Sequence, residues 1–191
     1  MEKDRIKWNE RYSGSGYFFS LTPSRALANC IELVESLVPG RRALDIACGE
    51  GRNAIFLAGR GFEVDGVDIA ELGLERGRQR AGELGLTVNF IQADLEECHL
   101  QGSYDVILNF NFLLRPLIPE MVEALSPGGV IVMETILNGP NIIGTHSAEF
   151  LLQPGELLQI FSQYEGRILE SAEEPGIEMP VARVIFQKKG V

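Results

Sequence analysis

The sequence predicts an α/β protein whose open, mostly parallel sheet ends in a C-terminal antiparallel hairpin. Three observations predict it. Between residues 43 and 136 short apolar runs alternate with helix-length amphipathic segments, the pattern of strands joined by right-handed crossovers. The first apolar run ends in a glycine-rich turn, Cys48-Gly-Glu-Gly51, that leads into a helix-like stretch. The last two strand-like runs, 167–172 and 181–187, have no helix between them, which makes them antiparallel neighbours at a sheet edge.

In chain order, Thr22-Pro-Ser-Arg reads as the start of a helix, with Thr22 as N-cap and Pro23 in the first turn. Leu27, Ile31, Val34 and Val38 then repeat at helical spacing until Pro39-Gly40 stops them. Ala43 to Ala47 is a short buried strand, Asn53 to Arg60 a short helix, and Phe62 to Ile69 a second strand. A charged helix over 71–84, strands at 88–93 and 104–110, a helix over 119–125 and a strand at 129–136 continue the alternation. After Pro154-Gly-Glu a helix over 157–161 precedes the two final strands, making seven strands in all. A chain of 191 residues without repeats, low-complexity tracts or linkers reads as a single domain over 1–191, with residues 1–38 as an N-terminal segment and helix and 39–191 as the core.

Composition narrows the function. No apolar run reaches the about 18 residues needed to cross a bilayer, and the charged start Met1-Glu-Lys-Asp-Arg5 lacks a signal peptide's apolar stretch, so a cytoplasmic protein without membrane contact is expected. Cys30, Cys48 and Cys98 form no C-x-x-C pair, so neither disulfides nor a metal site are expected. A net charge of −10 disfavours nucleic acid, which draws on clustered Lys and Arg. A small molecule is the expected partner, with the protein a monomer or homodimer.

In open α/β sheets ligands bind beyond the carboxyl ends of the strands. Asp45, Asp68 and Asp94 fall at the ends of the first three strands, on one rim. Gly49-Glu-Gly51-Arg-Asn-Ala54 satisfies the G-x-G-x-x-A dinucleotide pattern, and Asp68 lies 19 residues after Gly49 where a ribose-binding acid belongs. An NAD(P)-dependent or flavin oxidoreductase is therefore one reading. Against it, a pyrophosphate at this turn would meet Asp45 and Glu50 in desolvated surroundings. S-adenosylmethionine has no phosphate and carries an ammonium and a sulfonium that a carboxylate stabilises.

The segment Leu44-Asp-Ile-Ala-Cys-Gly-Glu-Gly-Arg-Asn53 resembles the first motif of the class I S-adenosylmethionine-dependent methyltransferases, and the resemblance extends over nearly the whole chain. It implies the Rossmann-like, seven-stranded methyltransferase fold and S-adenosylmethionine as cofactor, with S-adenosylhomocysteine as product. It also implies that Asp45, Ala47, Gly49 and Gly51 surround the methionine part, Asp68 the ribose hydroxyls, and Asp94 and Leu95 the adenine, with Tyr12, Cys48, Asn53, Ile69 and Asn109 as further cofactor contacts. Ala47 departs from the glycine that many members have there. Within the class the chain is similar to the small tellurite-resistance-type methyltransferases, through Trp8-Asn-Glu-Arg-Tyr12, Asn111 to Pro119 and Phe150 to Leu157. That likeness implies that the segment around Tyr12 folds over the cofactor, and it does not transfer a substrate.

For the acceptor side, Asn109 and Asn111 lie two apart at the end of the fourth strand and are expected on one face, with Asn109 towards cofactor and acceptor. Arg115 has the chemistry to pair with an anionic acceptor, and His146, after the glycine-rich loop 138–145, that of a general base. Tyr17, Phe18 and Phe19 read as an anchor for the N-terminal segment that can also line a pocket. The expected reaction is in-line methyl transfer, which depends on alignment and exclusion of water more than on covalent help. A non-catalytic S-adenosylmethionine-binding module stands as the alternative in another class.

Overall fold

The computed structural model describes residues 2–139, 142, 147–176 and 178–190. Its order is α1 (Glu2–Tyr12), α2 (Arg25–Leu37), β1 (Arg42–Ile46), α3 (Arg52–Gly59), β2 (Glu63–Asp68), α4 (Glu71–Glu83), β3 (Asn89–Gln92), β4 (Tyr104–Phe110), α5 (Leu117–Ala124), β5 (Leu125–Ile136), α6 (Glu156–Phe161), β6 (Gly166–Glu174) and β7 (Val181–Lys188). One seven-stranded sheet runs β3-β2-β1-β4-β5-β7-β6. The first five strands pair in parallel, while β7 pairs antiparallel with both β5 and β6. The expected architecture and its C-terminal hairpin are therefore present, with β6 as the edge strand.

Alternation within the strands builds a core on each face of the sheet. Leu44, Ile46, Ile107, Ile131 and Met133 pack under α5 and α6, whereas Ala43, Val106, Leu108, Val130 and Val132 pack under α2 and α3. Both faces are thus covered, as a parallel sheet requires. Between β1 and β4 the chain order of the strands reverses, and a crevice opens at that reversal beyond the carboxyl ends.

Two local expectations shift. The N-cap of α2 is Ser24, whose Oγ accepts the Leu27 N–H at 3.2 Å, while its own N–H donates to Asn53 Oδ1 at 2.8 Å. That tertiary bond fixes Ser24 at the cap, and Thr22 stays outside the helix. The sequence reading also missed α1, because only Tyr12 of its eleven residues is buried and little apolar periodicity exists to be read. Helix signals are nonetheless there, with Glu2 and Asp4 in the first turn and Arg11 in the last.

The turn after β1 is built from left-handed backbone. Ala47 has φ 51°, Gly49 φ 56° and Gly51 φ 73°. A Cβ on Gly51 would lie 2.6 Å from the Phe90 ring of β3, and one on Gly49 2.5 Å from Tyr12 Oη, so both positions need glycine for space as well as for φ. At Ala47 the methyl fits but the backbone is strained, since an L-residue in this region pays about 1–2 kcal/mol.

Replacing Ala47 by Gly should therefore raise unfolding free energy by roughly 1 kcal/mol, less the entropy that glycine adds to the unfolded chain. In the same urea titration Ser24→Ala should lose about 1 kcal/mol. Thr22→Ala should stay within about 0.5 kcal/mol of wild type, as for surface changes that remove no cap; a larger loss there would move the cap back to Thr22.

Candidate cofactor site and adjoining chamber

A cavity of about 970 Å³ lies over the reversal point of the sheet, roofed by α1 and the segment 17–21. That volume sits at the upper end of small-molecule pockets. The wall at one end is formed by Asp45 and Ala47 after β1, Asp68 and Ile69 after β2, and Asp94 and Leu95 after β3. Cys48, Gly49, Asn53 and Tyr12 join the same wall. Gly51 lies behind it, as the left-handed N-cap of α3 packed on Phe90.

Asp68 ties two turns together. Its Oδ2 accepts the Gly49 N–H and its Oδ1 the Ala70 N–H, each at 2.8 Å. Burial raises its pKa, with the bonds from Ala70 and Gly49 working in the opposite direction. A carboxylate offers about four acceptor sites, so further donors can still be met. Asp45 is buried, and its Oδ2 accepts the Ala54 N–H at 3.0 Å. Desolvation pushes its carboxyl up to about 7, against the Ala54 bond and the charge of Arg52. Burial, with Asp45 and Asp68 close by, likewise pushes the Cys48 thiol well up. Cys48 is thus a packed thiol and not an activated nucleophile.

The roof is aromatic. Trp8 and Tyr12 stack with centroids 5.8 Å apart, and Phe18 meets both edge-on at 6.1 Å. Glu50 Oε2 accepts the Phe18 N–H at 2.8 Å, and its Oε1 pairs with Arg76 at 2.9 Å. Arg76 also bonds the Gly16 and Gly14 carbonyls. The segment of Tyr17, Phe18 and Phe19 is therefore anchored and lines the cavity as well. Because Arg76 answers the charge of Glu50, the acids that would oppose a pyrophosphate reduce to Asp45 and Asp68.

Of the residues expected on the acceptor side, Asn109 and Arg115 lie off the cavity. Asn109 is 1% exposed and does not line the cavity. It continues the Ile107 face, where its Nδ2 meets Met121 Sδ of α5 at 3.8 Å and its Oδ1 has no partner among the described residues. Asn111 does line the cavity and does not share that face, because the chain leaves β4 there with φ 57°. Arg115 is held by both oxygens of Glu156, at 2.6 and 3.0 Å, and by the Glu149 and Leu151 carbonyls. That guanidinium braces the start of α6 away from the cavity. His146 lies outside the described residues.

Sequence reasoning missed Trp8, Arg52, Thr135 and Phe150 as cavity residues. Trp8, Arg11 and Tyr12 do stand at i, i+3 and i+4, a shared helix face that was available to read. Thr135 and Phe150 come from late elements, and nothing local in the sequence points them at β1. Among the described residues no group of three or more His, Cys, Asp or Glu is placed to hold a metal, and no helix is long and apolar enough to cross a membrane.

Residues 43–129 match a family model described as a methyltransferase domain. The chain is 27% identical over 161 residues to the ubiquinone biosynthesis O-methyltransferase of Rickettsia canadensis, covering 79% of this chain and 68% of that one. Among relatives of that name from Rickettsia canadensis, Rickettsia conorii and Bordetella avium, the chain spans between 40% and 68% of their length. In structure it is similar to TehB from Haemophilus influenzae, with a TM-score of 0.72 at 18% identity over 97% of this chain and 67% of that one. It is also similar to the magnesium protoporphyrin IX methyltransferase of Synechocystis, described with bound S-adenosylhomocysteine, with a TM-score of 0.69 at 17% identity over 96% and 94%. The stretch that matches the methyltransferase-domain model contains the glycine turn and the three rim acids.

Proposed function

We propose that the chain transfers a methyl group from S-adenosylmethionine to a small-molecule acceptor, acting as a single unit in which residues 1–38 cover the cofactor and 39–191 form the core. The observation that carries this reading is the continuity of the cavity. The cavity that Asp45, Asp68 and Asp94 line is also lined by Phe112, Leu113, Ile136 and Phe150, which leaves apolar space beside the cofactor wall. A non-catalytic binding module has no need of that space beside the cofactor.

The residues present fit the cofactor. Asp68 has acceptor sites left for ribose hydroxyls, and Asp45 is a buried carboxylate whose ionised form an ammonium would stabilise. Gly49, without a side chain, lets Tyr12 close over the turn. Ala47, Cys48, Gly51 and Asn53 complete the turn, Ile69 flanks the ribose, and Asp94 with Leu95 frames the adenine. Bound S-adenosylmethionine supplies an electrophilic methyl group. The protein's part is to hold the acceptor in line with it and to keep water out, an effect worth several kcal/mol. Tyr12, Trp8 and Phe18 serve exclusion. Asn109 supports the wall from beneath, Arg115 positions α6, and His146 is the candidate base for an acceptor that must lose a proton. The net charge of −10 supports a partner other than nucleic acid, and we expect a cytoplasmic monomer or homodimer.

Calorimetry tests the cofactor assignment. S-adenosylmethionine and S-adenosylhomocysteine should bind wild type, and Asp68→Ala should weaken both at least about tenfold, about 1.4 kcal/mol. Asp68→Asn, which keeps one oxygen for a backbone amide, separates ribose contact from loss of the turn. Binding of NAD without either adenosyl ligand would restore the oxidoreductase reading. Acceptor-dependent formation of S-adenosylhomocysteine then distinguishes enzyme from module.

A pH series tests Asp45. Its carboxyl stands near 7 in the folded chain against an ordinary 3.8, so the folded state holds a proton that the unfolded state releases. The stabilisation is fully present below about pH 4 and is lost as pH rises through 7. Affinity for the ammonium-bearing ligand should run the other way, falling up to tenfold per unit below pH 7. Melting curves from pH 4.5 to 8, with and without S-adenosylhomocysteine, should show both slopes in wild type and neither contribution in Asp45→Asn.

A further inference from the structure

Four cationic side chains face the cavity: Lys7, Arg11, Arg52 and Arg80. Three of them sit on the roof and its flank. Lys7 and Arg11 lie over the Trp8 ring, with Arg11 also over Phe18, and Arg80 lies over Tyr17. Arg52 is different. It opens α3 on the opposite wall, is half-buried, and stacks on Phe19 at 4.8 Å. Among the described residues no carboxylate lies within ion-pair distance of it, and it makes no hydrogen bond. Desolvation lowers its pKa, with Asp45 and then Glu134 of β5 as the acids opposing that shift. Arg52 therefore lines the same cavity as Asp45 and as Phe112, Leu113 and Ile136.

A guanidinium taken partly out of water and left without an anion is a cost the fold need not carry, since a neutral side chain would also stack on Phe19. Its five donors in a rigid fork match a carboxylate or another oxyanion. Around it the chamber is apolar, with Phe112, Leu113 and Ile136 inside. Leu21, Phe150 and Met179 also line the cavity, at 43%, 37% and 50% exposure. Exposed large apolar side chains that line one cavity mark a binding surface.

We infer that the acceptor is an organic anion on an apolar, ring-sized body, and that Arg52 is the specificity-determining residue that pairs with its anionic group while the chamber takes the body. The inference rests on the methyl-transfer reading above, because it treats the chamber as the acceptor's. It also assigns the cofactor's own carboxylate to the roof cations, Lys7 and Arg11, which α1 carries over the cofactor wall.

The test uses benzoate and 2-naphthoate against their carboxamides, titrated by calorimetry into the protein with and without S-adenosylhomocysteine. In wild type the acids should bind at least tenfold tighter than the amides, and naphthoate tighter than benzoate. Arg52→Gln should erase the preference for acid over amide while leaving the amides unchanged, and Arg52→Lys should keep part of it. Affinity for S-adenosylhomocysteine should change by less than about threefold in Arg52→Gln. A tenfold loss there would give Arg52 to the cofactor's carboxylate and overturn the assignment. Equal binding of acids and amides by wild type, or a preference that survives Arg52→Gln, would also overturn it. Failure of S-adenosylhomocysteine to bind wild type is a separate result, against the methyl-transfer reading itself, and the titrations without that ligand still read the acid preference.

Discussion

The carboxylate of Asp68 is the constraint on which the site depends. One side chain at the end of β2 accepts the Gly49 N–H of the turn after β1 and the Ala70 N–H at the start of α4. The neighbouring strands β1 and β2, the glycine turn and α4 are thereby held in one geometry by a buried acceptor. Such a group is costly if left unpaired, so its amide partners are as much a part of the site as the acid. The left-handed backbone at Ala47, Gly49 and Gly51 is the strain that this geometry requires, and the pairing of β1 with both β2 and β4 holds it in place.

The roof follows from the same turn. Gly49 has no side chain, which lets Tyr12 descend onto it, and Gly73 of α4 receives the other edge of the same ring with a virtual Cβ at 3.0 Å. Trp8 and Phe18 complete an aromatic cluster, and Glu50, on the turn itself, binds the Phe18 amide and Arg76. Cover and floor are therefore joined by charged hydrogen bonds. An otherwise polar helix with one buried residue gains its place from this docking and not from a core of its own.

Charge is distributed unevenly around the cavity, and the pairing of each group decides its role. Glu50 and Arg115 are both answered within the chain, by Arg76 and by Glu156, so each is structural. Among the described residues Asp45 has one amide partner and no ion pair, and burial pushes its carboxyl up against the Ala54 bond and the charge of Arg52. Arg52 is the complementary case on the facing wall. A site with one under-compensated acid and one under-compensated base is suited to ligands that bring the opposite charges with them.

The sequence by itself determined what depends on neighbours along the chain. Alternation of apolar runs and amphipathic helices specifies the seven strands, the run of Asp45, Asp68 and Asp94 at strand ends specifies the rim, and the spacing of Gly49 and Gly51 specifies the turn. Periodicity and turn chemistry act over a few residues, and for that reason they can be read directly. The tertiary structure alone decided which way long side chains point and what they meet. Ser24 became the α2 cap through a bond from Asn53, Asn109 was turned under α5 while Asn111 left the strand in a left-handed bend, and Arg115 was captured by a glutamate 41 residues further on. Among the described residues Arg52 has no such partner. These outcomes rest on contacts between residues far apart in the chain, whose energies compare many possible partners in space, and no local pattern encodes the winner.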